Sequence, residues 1–127
     1  MTDFDWVKAR SECSLSGIFE KLRMQVKEDI DIRNSQLPAL NHYSFRLISQ
    51  GTMFAAIVEG NNIHGAVRFT YNVSRLIFVH DDKERELMRA FVTLNNDGKC
   101  MVRINEQEYE LWQMRKMALE RLLFTDY

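Results

Sequence analysis

Proline and cysteine are nearly absent from this chain of 127 residues, which holds one of the first and two of the second. Long apolar runs are missing as well. The longest, Met53 to Val58, is far short of the ~20 residues a membrane helix requires, so no membrane partner is expected. Charge of one sign is also lacking: 17 basic and 18 acidic side chains leave a net charge of −1. No global field therefore steers nucleic acid or an anionic surface, and any such role needs a local patch.

Met1 to Asp5 has neither a basic nor an apolar stretch of the signal-peptide kind. Cys13 and Cys100 lie in different elements without metal-ligand spacing. The two thiols are thus expected to be reduced and structural, in a cytoplasmic protein. In that compartment the sequon Asn72-Val73-Ser74 carries no meaning. The chain has no glycine-rich phosphate loop, no G-x-S-x-G elbow, no H-E-x-x-H and no C-x-x-C pair. These absences exclude most nucleotide-binding enzymes, the common serine hydrolases and zinc proteases, and predict no cofactor.

What is present is a hydrophobic period that changes twice. Residues 3–33 read as helix: Thr2 and Asp5 suggest a capping box, and Leu15, Ile18, Phe19, Leu22, Val26 and Ile30 form an apolar stripe. Ser14 to Gly17 weakens the middle of that run, which predicts a bend or two abutting helices. Asn34, Ser35 and Pro38 end it, and from residue 42 to 111 the period is 2. Turn signals at Gly51, Gly60-Asn61-Asn62, Asn72 to Ser74, Asp81-Asp82 and Asn95 to Gly98 divide this region into short strands. Residues 112–124 return to helix, with 105–112 open to either reading. The expectation is one α+β domain over 1–127. In it a six- or seven-stranded antiparallel meander is covered on one face by both terminal helices. Trp6 and Trp112 are expected to anchor those helices in the core.

Two clusters are candidates for function. A meander places His42, His64 and His80 at one end of the sheet, close to Asp81 and Asp82. Imidazoles and carboxylates on one rim suit a metal or a general base, although strand ends favour polar residues for purely structural reasons. The second candidate is the outward face. Alternation turns Arg46, Arg68, Arg89, Lys99 and Arg103 outward, with Glu59 as the clearest acid among them. The same parity places Ile48, Met53, Ile57, Ile77, Val79, Leu87, Phe91 and Met101 there. A solvated antiparallel face is mostly polar, whereas mixed arginine, methionine and aromatic surface is the composition of interface cores.

Three readings of that face follow: a solvated or self-associated surface, a groove for an anionic or peptide-like ligand, and a platform for single-stranded nucleic acid. Few aromatics accompany Phe91, which disfavours nucleic acid. The sequence therefore predicts a non-enzymatic binding or interaction domain. It would form a homodimer through the outward face, with Met53, Ile57, Ile77 and Val79 central and the arginines around them. A small metal-binding protein or enzyme using the histidine rim is the alternative.

Overall fold

The computed structural model describes residues 3–72 and 76–127. Thr2, half of the expected capping box, and the sequon at 72–74 fall wholly or partly outside them. Helices α1 (Trp6–Glu12) and α2 (Leu15–Ser35) precede strands β1 (Ser44–Gln50), β2 (Met53–Glu59), β3 (Ile63–Tyr71), β4 (Leu76–Asp81), β5 (Glu86–Leu94), β6 (Cys100–Ile104) and β7 (Gln107–Tyr109). Helix α3 (Leu111–Leu123) closes the order. All seven strands form one antiparallel sheet in sequence order, and α2 and α3 pack on one face of it. Among the described residues no helix is long and apolar enough to cross a membrane.

The N-terminal helical run is broken, not bent. The Asp5 carboxylate accepts from the Lys8 N–H at 3.0 Å and caps α1, while the Ser14 hydroxyl accepts from the Gly17 N–H at 3.1 Å and caps α2. Ser14 is extended and so stands outside either helix, where a serine helps instead of competing with the backbone. The stripe read from the sequence then lands as expected: Ile18, Phe19, Leu22, Val26 and Ile30 are the buried residues of α2. The uncertain stretch before α3 resolves into a three-residue strand and a turn, with the Gln113 side chain accepting from the Glu110 N–H at 2.8 Å.

The core lies between the inner sheet face and the two long helices. Phe54 and Phe69 stack at its centre with centroids 4.7 Å apart, and Phe19 from α2 meets Phe54 at 5.0 Å. Met114, Ala118, Leu119 and Leu122 complete it from α3. On the open edge of the sheet, Asn34 bonds both backbone groups of Phe45, donating to its carbonyl at 2.8 Å and accepting from its N–H at 2.9 Å. A side chain thereby substitutes for the neighbouring strand that β1 lacks. Where β6 begins, Gly98 has φ of 79°, and a Cβ there would stand 2.7 Å from the Phe4 ring. Only glycine satisfies both demands.

Several expectations are overturned. Cys13 and Cys100 form a disulfide, 87 residues apart in sequence, so the two thiols are not reduced. The reason is tertiary: α1 packs against β5, and Cys13 at its end meets Cys100 at the start of β6, with the Cα atoms 5.5 Å apart. Trp6 and Trp112 are not core anchors, being 63% and 53% exposed. Helix α1 buries none of its seven residues, and Trp112 lies off the α3 face that carries Met114, Ala118 and Leu122. Ile77 and Val79 point inward, because they pair with Tyr71 and Phe69 and cross-strand partners share a face. The outward residues of β4 are Leu76, Phe78 and His80.

Candidate functional site

Pairing fixes the outer face row by row. One row runs Arg46, Ile57, Ala66, and the next Ile48, Ala55, Arg68, His80, Glu86. A third runs Gln50, Met53, Thr70, Phe78, Arg89, and a fourth Leu76, Phe91, Arg103, Glu108. Beyond them Thr93 faces Met101. The structure thus brings Arg46, Arg68, Arg89, Arg103, Met53, Phe91 and Met101 onto the expected face. Ile57 also belongs to it but is only 2% exposed, hidden among its row neighbours, and offers nothing to a partner.

The positive patch expected from the sequence is largely cancelled within the chain. Arg46 Nε lies 2.7 Å from Glu59, Arg68 Nη1 2.7 Å from Glu84, and Arg89 Nε 3.0 Å from Glu86. Glu59 was visible as an outward acid. Glu84 was not, because it sits in the β4–β5 turn with φ of 62° and no alternation rule points it anywhere. Asp81 organises that turn by accepting from the backbone N–H groups of Lys83 and Arg85, each at 2.9 Å, and from Arg85 Nε at 2.7 Å. Arg89 also lies over the Phe78 ring at 5.6 Å. What remains uncovered between the ion pairs is apolar: Ile48 and Phe91 are exposed, and Met53, Leu76, Phe78 and Met101 half-buried.

Hydrogen bonds from Arg46 and Arg68 hold the Glu59 and Glu84 carboxyls below their ordinary range, against a smaller opposing effect of desolvation. Because the folded values are depressed, these pairs favour the folded chain above the unfolded carboxylate pKa. That contribution disappears as pH falls through the folded value. In a carbon-detected NMR titration, Arg46→Gln should raise the Glu59 midpoint back toward the ordinary glutamate range. An unchanged midpoint would show that the pair does not form in solution.

The histidines do not converge as a set. His42 Nε2 lies 2.5 Å from the Tyr127 carbonyl, and the His64 ring stacks on Tyr127 with centroids 6.0 Å apart. Gly60 runs between them, with no room for a side chain beside the His42 carbonyl. His80 stands apart on the outer face against Phe78, its Nδ1 buried without a hydrogen-bond partner among the described residues. Among the described residues no group of three or more His, Cys, Asp or Glu side chains is placed to hold a metal ion. A cavity of about 580 Å³ at this rim is lined by His64, Asp81, Asp82, Arg121 and Tyr127, a mixed-charge set.

No family, curated protein or solved structure matches this chain. Function is therefore argued from the site alone.

Proposed function

We propose that this chain is a non-enzymatic interaction domain that self-associates through the outer face of its sheet. One observation carries the reading: three of the four outward arginines, Arg46, Arg68 and Arg89, are paired with carboxylates of the same chain, which leaves little net charge among the apolar side chains between those ion pairs. Four outward arginines on each of two facing copies would otherwise repel, and an unpaired guanidinium buried between them would cost several kcal/mol. With the charges compensated in place, Ile48, Met53 and Phe78 are free to meet their counterparts about a twofold axis. The centre of this contact differs from the one the sequence suggested, since Ile77 and Val79 belong to the core and Ile57 is covered. An unpartnered antiparallel face of this composition resembles interface cores more than solvated sheet.

Sedimentation velocity should show a dimer that forms with rising concentration through the micromolar range. Ile48→Asp combined with Met53→Asp should give a monomer whose circular dichroism matches wild type, because neither side chain supports the core. A wild-type protein that stays monomeric at high micromolar concentration would overturn the proposal. So would a double variant that still dimerises.

A further inference from the structure

A groove of about 630 Å³ crosses the β5–β6 end of the outer face, away from Ile48 and Met53. Three guanidiniums line it: Arg10 from α1, Arg89 from β5 and Arg103 from β6. Arg89 is engaged by Glu86. Arg10 donates only to the Cys13 carbonyl, at 3.1 Å, and Arg103 has no bonded carboxylate among the described residues. Phe91, 51% exposed, forms part of the same lining, with the Thr93 hydroxyl and the Asn105 amide beside it. Glu106 is the acid of the lining, at the turn after β6, while Glu108, across the ladder from Arg103, accepts from the Asn95 amide at 3.2 Å.

Guanidinium forks match the oxygens of a phosphate, which carries close to two negative charges at neutral pH. A flat exposed phenyl ring offers a stacking surface to a planar group. The volume falls within the range of small-molecule sites, roughly 300–1,000 Å³. Glu106 opposes a second phosphate, so a polyphosphate fits worse than a monoester. We propose that this groove binds a phosphate monoester carrying a planar ring, a nucleoside monophosphate being the matching chemical class. Arg10 and Arg103 hold the phosphate and Phe91 stacks the ring.

The Cys13–Cys100 disulfide belongs to this site by position. Cys13 follows the last residue of α1, and its carbonyl orients the Arg10 side chain. Helix α1 has no buried residue of its own to keep it in place. The disulfide is thus what keeps Arg10 at the groove, and its reduction should weaken binding.

Calorimetric titration with adenosine monophosphate at fixed ionic strength tests this. Adenosine and inorganic phosphate should each bind at least about tenfold more weakly, since either alone makes half of the contacts. Arg103→Gln and Arg10→Gln should each lower affinity about tenfold or more, the loss expected for a hydrogen bond to a charged group. Arg103→Lys should fall between, keeping charge but losing the fork. Glu106→Gln should bind more tightly than wild type. A reducing agent should weaken wild type, yet cause no further loss in the folded Arg10→Gln variant. The proposal is overturned if adenosine monophosphate does not bind, or if adenosine binds equally well. It is also overturned if Arg103→Gln is silent, or if a short single-stranded oligonucleotide binds where the mononucleotide does not. Because Arg89 of the groove lies over Phe78 of the dimer contact, the titrations are run on the Ile48→Asp/Met53→Asp monomer as well as on wild type, and binding that persists in the monomer separates the two proposals.

Discussion

Phe54→Ala should destabilise the chain by about 3–5 kcal/mol in urea denaturation, the cost of removing a large aromatic from a closed core. Phe54 is fully buried near the start of β2, stacked on Phe69 across the β2–β3 ladder and capped by Phe19 from α2. Removing its ring unpacks the inner sheet face and the α2 contact together, and the tight surroundings leave little room to collapse into the gap. For a domain of this size the melting temperature should fall by roughly 10–20 °C. Trp112→Ala provides the contrast. Its indole is half exposed and bonded only to the Glu110 carboxylate at 2.8 Å, so a change within about 1 kcal/mol is expected. If the two substitutions cost the same, the core is not centred on the Phe54–Phe69 stack.

Loss of the disulfide ranks second. In the chain-entropy account a crosslink closing a loop of this length restrains the unfolded chain by a maximum of about 4–5 kcal/mol. The full amount is realised only where both ends are held in the folded state without the crosslink. Cys100 is held, since β6 is paired on both sides. Cys13 is held from one side only: it is buried and α2 begins two residues later, but the α1 residues before it bury nothing. Cys100→Ser should therefore cost about 2–3 kcal/mol in global stability. Amide exchange in residues 6–12 should accelerate far more than in α2, as local detachment precedes global unfolding. Equal acceleration in both helices would mean that α1 is tied to the body by more than the disulfide. A variant as stable as wild type would show that the bridge does not form in solution.

How far the sequence reached differs from element to element. The α2 stripe, the meander and the Asn95–Gly98 turn were legible because each is a local pattern. A helix shows its buried side every three or four residues, and a strand shows its inner face every second one. The outward arginines were legible for the same reason, as parity carries through a strand once one residue is oriented. Parity failed at β4, where every position from Leu76 to Val79 is apolar and alternation carries no information. Pairing of Val79 with Phe69 decides that strand, and only the assembled sheet supplies the pairing.

Charge and thiols behave likewise. The sequence contains Arg46, Arg68 and Arg89 as cations on one face, but their compensation by Glu59, Glu84 and Glu86 depends on where a turn and a strand start are brought in space. Two cysteines 87 positions apart say nothing about pairing until the end of α1 is brought to the start of β6. Arg10 joins Phe91 and Arg103 for that same reason, and no spacing in the chain announces it. The sequence by itself determined the element order, the antiparallel meander and which face of each regular element is apolar, because these follow from short-range periodicity and turn chemistry. Tertiary structure alone decided the disulfide, the ion pairs and the groove. Apart from Arg89 and Glu86, three residues apart on β5, these join residues of different elements, whose distance is set by how the elements pack.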